Sequence, residues 1–126
     1  MEWRFTDKEP VYMQIMAYIR SDVLAGVYAP GDKIPSVREL AMQGRVNPNT
    51  VQRAMTELEA EGELVCKGTL GRFVTTDETV LAKLRNQVVK QTVYDCAERL
   101  AKLNVTMEQA AAMLRDMEKK EEDSCG

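Results

Sequence analysis

The stretch from Pro35 to Val74 places the strongest constraint on the fold, because two short helix signals and a glycine-containing hairpin follow one another closely there. The first helix is predicted to begin at Ser36, whose S-x-x-E pattern is a capping box, and to end at Gly44. The second is predicted to begin with Asn47 as its N-cap and Pro48 in the first helical position. The order predicts two short helices joined by a tight turn, with a hairpin directly after them.

The residues after Asn47 support both the second helix and the hairpin. Apolar residues recur there on one helical face: Val51, Ala54, Met55 and Leu58. Gly62 is expected to end this helix. Residues 64–66 and 73–75 are rich in strand-forming residues, and residues 67–72 between them contain the glycines that a hairpin tip requires. Together these elements are typical of a winged helix-turn-helix.

The last part of the chain has a different character. Residues 78–103 contain neither glycine nor proline, and their apolar residues suit a long amphipathic helix. Residues 104–105 interrupt this pattern. A second capping-box pattern at Thr106 predicts a final helix, and we expect residues 121–126 to be frayed.

The start of the chain completes the expected architecture. Pro10 is expected to be the first residue of a helix that ends at Gly26. Residues 29–32 are predicted to form a turn. The predicted fold class is mainly α with a small β-hairpin wing. Residues 1–76 are predicted to form a winged helix-turn-helix domain, and residues 77–126 a two-helix dimerisation region.

Composition excludes several functional classes. No apolar run approaches the roughly 20 residues of a membrane span, and the first residues lack the apolar segment of a signal peptide, so a cytoplasmic protein is expected. The three cysteines are odd in number and far apart, which favours reduced thiols over a disulfide framework. The sequence has no histidine and no glycine-rich phosphate loop. We therefore predict no enzymatic activity, no metal site and no cofactor.

The charge distribution is more informative than the net charge of −3. Residues 33–53 contain four basic residues and one acid, which gives a local charge of +3, and residues 64–76 contain two basic residues and no acid. A local basic face on an acidic protein is compatible with DNA binding. A solvated surface of mixed charge is the alternative interpretation of the same pattern.

Candidate DNA contacts follow from the chemistry of these positions. At the start of the second helix the polar candidates are Asn49, Thr50, Gln52 and Arg53. Asn and Gln can pair with adenine edges, and Arg with guanine or phosphate. Arg38 on the preceding helix is placed to reach the same groove, while Lys67 and Arg72 flank glycines that allow close approach to a phosphate. The alternatives are a capping role for Asn47, plain solvent exposure of the helix side chains, and an ordinary exposed hairpin.

Three segments carry a family resemblance: P-G-D-K-I-P-S-V-R-E-L-A, N-P-N-T-V-Q-R-A-M-T-E-L-E-A-E-G and G-R-F-V. Over about Pro10 to Thr76 they resemble the winged helix-turn-helix of the GntR family of bacterial transcription regulators. The resemblance implies operator contacts by Arg38, Asn49, Thr50, Gln52 and Gly68, with Lys67, Thr69 and Arg72 near the wing. Many family members have arginine at the positions of Pro48 and Gln52, so an altered operator preference is expected.

The helical tail resembles that of the small YtrA-type subfamily, in which such a tail makes the dimer. Two amphipathic helices with stripes of Leu, Val, Ala and Met cannot bury both faces on so small a domain, so a partner chain is the natural cover. The expected protein is a homodimeric regulator, most simply a repressor, on a pseudo-palindromic double-stranded operator.

Other interpretations of the tail and of the winged helix stay open. The two helices can fold back onto the winged helix of their own chain, and the winged helix can bind a protein instead of DNA. A third possibility is a regulator that senses a small molecule in a pocket at the tail helices, with Met107, Met113 and Met117 in its lining. Methionines at helical spacing are more often packing residues, and the sequence identifies no effector.

Overall fold

The computed structural model describes residues 2–125, the last four of them by their backbone alone. Along these residues the helices and strands are α1 (Val11–Leu24), α2 (Val37–Gly44), α3 (Pro48–Ala60), β1 (Leu64–Cys66), β2 (Arg72–Val74), α4 (Glu78–Lys102) and α5 (Met107–Cys125). A single 3-10 turn, Gly68–Leu70, joins the two strands. The prediction of a mainly α fold with a small β-hairpin is confirmed. The chain divides into two compact units, Met1–Val88 and Val89–Gly126.

The first helix begins one residue later than predicted. Pro10 is the N-cap of α1 and not its first helical residue, because its ψ of 142° is extended. Its carbonyl accepts hydrogen bonds from the backbone N–H groups of Met13 and Gln14, at 3.1 and 3.3 Å. The helix ends at Leu24, and Gly26 then takes a positive φ, as expected of a residue that ends a helix.

The caps of α2 and α3 agree with the sequence patterns. Ser36 Oγ accepts from the N–H of Glu39 at 3.1 Å, and Glu39 Oε1 accepts from the N–H of Ser36 at 3.4 Å, which completes the capping box. Asn47 Oδ1 accepts from the N–H of Asn49 at 2.8 Å, and Pro48 occupies the first turn of α3. Both helix starts are thus determined by local sequence.

The core of the first unit lies where α1, α2 and α3 meet the hairpin. The whole predicted stripe of α3 is fully buried there: Val51, Ala54, Met55 and Leu58. Ile15 and Ile19 of α1, Leu40 of α2 and Val74 of β2 pack into the same cluster. Burying each such aliphatic side chain contributes about 1.5–3 kcal/mol, so this cluster fixes how α3 is presented.

The hairpin is antiparallel, with Leu64 opposite Val74 and Cys66 opposite Arg72. Its second strand begins and ends one residue earlier than the predicted 73–75, because Arg72 is already paired across the ladder. Lys33 adds an isolated antiparallel bridge to Phe73 on the other side of β2. The wing is therefore joined by backbone hydrogen bonds to the segment that leads into α2.

The beginning of α4 belongs to the first unit. Leu84 is buried and Leu81 packs against the core cluster, while the Arg85 guanidinium donates to the carbonyl of Leu24 at 3.4 Å. The two compact units therefore divide inside α4, after Val88. The expected domain boundary after residue 76 stays a prediction. None of the helices in residues 2–125 is long and apolar enough to span a membrane.

The second unit contains the rest of α4 and all of α5. Asn104 takes a positive φ of 58° between the helices. The predicted second capping box is present, since Thr106 Oγ1 accepts from the N–H of Gln109 at 3.1 Å and Gln109 Oε1 from that of Thr106 at 2.9 Å. The helix of residues 107–125 enters the segment expected to fray. That expectation stays a prediction, because the side chains of 122–125 and residue 126 lie outside the described residues.

Candidate nucleic-acid interface

The first turn of α3 presents the amide and hydroxyl groups that the sequence indicated. Asn49 is exposed at the start of the helix, while Thr50 is half-buried. Gln52 is exposed, and its Nε2 donates to Thr56 Oγ1 at 3.2 Å. This contact holds Gln52 along the helix surface. Its carboxamide keeps a second N–H and an acceptor oxygen that this hydrogen bond does not use.

Arg38 is an exposed residue in the first turn of α2. Among the described side chains, no carboxylate lies within ion-pair distance of its guanidinium. It stands at the edge of a concave groove of about 360 Å³ between α2, α3 and the wing. The groove is lined by Lys33, Ile34, Pro35, Ser36, Val37, Arg38, Gln52, Met55, Thr69, Leu70, Gly71 and Arg72. Arg38 and Gln52, which come from different helices, are thus brought to one surface.

Arg53 is engaged by its own chain. Its guanidinium carbon lies 3.8 Å from the ring centroid of Tyr12 on α1, a cation–π contact. The contact directs Arg53 along the α1 side of α3. Its helical position did not reveal this partner, because Tyr12 is distant in sequence.

The wing tip exposes small residues. Gly68 and Thr69 are exposed in the 3-10 turn, and Gly68 has a positive φ. The Lys67 ammonium lies 4.6 Å from the ring centroid of Phe73, so its stem covers the strand while its charge stays at the surface. Gly71 has a positive φ of 108°, a conformation that favours glycine, and it lies beside the Lys33 side chain. The tip therefore combines an open backbone with two nearby ammonium groups.

Arg72 differs from the other basic residues of the wing. Its Nε donates to Glu59 Oε1 on α3 in a close ion pair, and the two side chains are only 19% and 29% exposed. A charge already paired with a carboxylate contributes little to a basic surface. Arg72 thus joins the wing to α3, and its expected DNA contact stays a prediction.

A second ion pair anchors the other end of the hairpin. Arg20 of α1 donates from Nε and Nη2 to the two carboxylate oxygens of Glu63, at 2.6 and 2.7 Å. The hydrogen bond to Glu63 raises the pKa of the Arg20 guanidinium above its ordinary value. Two carboxylates at and after the end of α3, Glu59 and Glu63, thus orient the wing.

No sequence pattern indicated the contacts of the first residues. Trp3 stacks near Tyr18, with ring centroids 6.1 Å apart, and lies directly over Gly44, where a Cβ would collide with its ring. Arg45, the next residue, takes the left-handed conformation at φ 54° and caps α2 in place of a glycine. α2 ends at Gly44, as predicted, but the left-handed cap is Arg45, and Gly44 makes room for Trp3.

Comparisons with known proteins agree with this geometry. The profile of the bacterial regulatory proteins of the gntR family matches residues 11–74, which is half of the chain. The chain is 31% identical to the uncharacterized HTH-type transcriptional regulator YhcF of Bacillus subtilis (strain 168), over 86% of this chain and 90% of that protein. It is 39% identical to the HTH-type transcriptional repressor YtrA of the same organism, over 65% of this chain and 64% of that protein.

Solved structures give the same result. A GntR family transcriptional regulator from Listeria monocytogenes superposes with a TM-score of 0.76 at 36% identity, covering 89% of this chain and 98% of that one. The AraR DNA-binding domain in complex with operator ORX1 superposes with a TM-score of 0.54 at 28% identity, covering 60% of this chain and 95% of that one. The likeness to the repressor YtrA agrees with the small YtrA-type subfamily. The chain belongs to the GntR family of bacterial transcription regulators, and its first unit is the winged helix-turn-helix DNA-binding domain of that family.

Proposed function

We propose that this protein is a transcriptional repressor that binds a pseudo-palindromic operator as a homodimer. Each recognition helix, α3, enters one major groove, and each wing rests on the backbone or minor groove beside it. Occupation of the site then blocks the polymerase. The relative YtrA carries the word repressor in its name, and the AraR domain is bound to operator DNA; both support the proposal.

The observation that carries the dimer is the apolar surface of the second unit. Large apolar side chains are exposed there on both helices and in the turn between them: Val93, Tyr94, Leu103, Met107, Met113, Leu114 and Met117. Leu103 is 71% exposed and Leu114 63%. An apolar surface on this scale is typical of an interface. A second copy of the chain presents the same surface, as a two-fold interface requires.

We expect the polar residues around the groove between α2, α3 and the wing to contact DNA. We assign hydrogen bonds with base edges to Asn49, Gln52 and Arg38, because amide and guanidinium groups discriminate between bases. Gly68 and Thr69 of the wing, with the Lys67 ammonium, are assigned to phosphates. Thr50 is half-buried, so a phosphate contact through its hydroxyl fits it better than base reading.

Oligomeric state tests the dimer in the full chain. Val93→Glu combined with Leu114→Glu places two charges on the apolar surface, and we expect a monomer by sedimentation. Asn86→Glu, which adds a charge at an exposed polar position of α4, is the matched control and is expected to remain a dimer. A wild-type chain that sediments as a monomer would contradict the proposal and favour helices that cover their own domain.

DNA-binding assays test the second part of the proposal, the recognition of a pseudo-palindromic operator. Selection from a random duplex pool is expected to yield an inverted repeat whose half-sites lie about one helical turn apart, or a multiple of it. A protein that binds neither the selected duplex nor random-sequence duplex at low salt would instead support a protein-interaction module. A ligand-sensing role for the tail helices stays a prediction, which thermal shift against small metabolites can check.

A further inference from the structure

We propose that Arg4 and Arg45 form an additional phosphate-binding site of this protein, next to the recognition helix and independent of operator sequence. The inference rests on the proposed function, because it needs α3 to enter the groove. Both arginines are exposed, and both line one depression of about 430 Å³ together with Glu2, Trp3, Gln43 and Gly44. Among the described side chains, no carboxylate pairs with the Arg45 guanidinium.

The position of Arg45 in the chain brings it to the DNA. It lies two residues before Asn47, the N-cap of α3, and two residues of backbone span at most about 7 Å. The start of a recognition helix sits inside a major groove about 12 Å wide, with a phosphate backbone on either side. A long cationic side chain that projects this close to the helix start is within reach of that backbone.

The backbone of Arg45 supplies the second observation. Its φ of 54° is in the left-handed region, where glycine is the favoured residue at the end of a helix. A side chain held in a disfavoured conformation points to a use for that side chain. Arginine, with a guanidinium that matches phosphate oxygens, fits an anionic partner.

The first residues bring Arg4 to the same depression. The Arg4 backbone is fixed on both sides by Tyr18, because its N–H donates to the Tyr18 hydroxyl at 3.0 Å and its carbonyl accepts from that hydroxyl at 2.8 Å. Trp3 fits over Gly44 at the end of α2. Glu2 lies 3.8 Å from the Arg4 guanidinium, but both side chains are more than 80% exposed. So loose a surface pair leaves Arg4 available to a phosphate.

Arg45→Gly is the decisive variant, because the binding role and a structural role predict opposite results. Glycine removes the charge and relieves the backbone, so we expect the thermal midpoint to rise while DNA affinity falls. The affinity should fall by the same factor on a selected operator and on random-sequence duplex. The slope of log K against log salt should become shallower by about 0.9 for each lost phosphate contact. Arg4→Ala should produce the same slope change, and Arg45→Lys should restore most of the affinity.

Two further variants separate failure of this inference from failure of the proposed function. Arg38→Ala reports on the proposed interface, and Lys119→Ala removes one exposed positive charge from the second unit as a control. Wild-type affinity and slope in both Arg45→Gly and Arg4→Ala, with a loss in Arg38→Ala, would overturn the inference alone. A loss in only one of the two arginine variants would overturn the shared site. No binding of either duplex by the wild type would overturn both proposals.

Discussion

Single residues around the groove differ in how free they are to meet DNA. Arg38 has no carboxylate partner among the described side chains, whereas Arg53 lies against Tyr12 and Arg72 is paired with Glu59. A guanidinium that must leave an internal partner contributes less to binding than one that is free. The three arginines that look alike in the sequence therefore differ: the Arg38 side chain is open to solvent, and the other two are engaged within the chain.

Arg38→Ala is expected to weaken operator binding by about 1–3 kcal/mol and to relax the preference at one base pair. The residue is exposed in the first turn of α2, so unfolding by urea should not change. Titration of a labelled operator and of its single-base variants measures both effects. A uniform loss on every duplex, with a shallower salt slope, would instead identify a phosphate contact.

Asp22 is a second residue whose environment makes a clear prediction. Its burial on α1 raises the pKa of its carboxyl above the ordinary value. The folded state therefore holds the proton more tightly than the unfolded state, and stability falls as pH rises from the ordinary aspartate pKa of about 3.9 through the raised value. Above that window the penalty stays constant.

Asp22→Asn removes this penalty and is expected to raise the free energy of unfolding at neutral pH. The gain should disappear when the pH is below the ordinary aspartate pKa, because Asp22 is then neutral in both states. Urea unfolding at the two pH values measures the difference. Asp116→Asn, on exposed α5, is the control. A variant no more stable than the wild type at neutral pH would contradict this account.

At the scale of elements, the starts of α2 and α3 and the buried stripe of α3 could be predicted, and the orientation of the wing could not. Ser36 and Asn47 determine caps through residues two or three positions away, and Val51 to Leu58 follow helical spacing. The wing is instead held by Glu59 and Glu63, whose partners lie on other elements. Alternating acids at a helix end carry no signal of such tertiary pairs, because their partners are distant in sequence.

Glu59→Gln tests whether Arg72 acts through α3 or touches DNA itself. If Arg72 positions the wing, Glu59→Gln and Arg72→Ala should weaken DNA binding alike, each with a loss of about 1 kcal/mol in stability. If Arg72 contacts DNA, its release from Glu59 should strengthen binding, and only Arg72→Ala should weaken it. Operator titration of both single variants and of the double variant distinguishes the two roles.

The junction of α2 with the first residues offers a spectroscopic test. Trp3 is the single tryptophan of the chain and lies over Gly44. Gly44→Ala is expected to expel the ring, shift its fluorescence to the red and lower stability by about 1–3 kcal/mol, because a Cβ cannot share that space. Gln43→Ala, an exposed neighbour on the same helix, should change neither signal. Unchanged emission from Gly44→Ala would show that Trp3 does not occupy the site.

At the scale of the whole molecule, function depends on two units with different surfaces. The first unit, residues 1–88, contains the buried apolar core cluster and exposes polar and basic residues near α3. The second, residues 89–126, exposes large apolar side chains on both of its helices. The likeness of the sequence to a known family indicated the first surface in detail. The amphipathic pattern of the tail indicated an apolar face, but the pattern does not say which molecule covers it.

The number of protein chains on one operator duplex tests the proposed dimeric repressor most directly. Sedimentation of the full chain with a duplex selected from a random pool measures that number. Two chains on one duplex, with an inverted repeat in its sequence, is the expected result. One chain per duplex, at protein concentrations that saturate the site, would contradict the account.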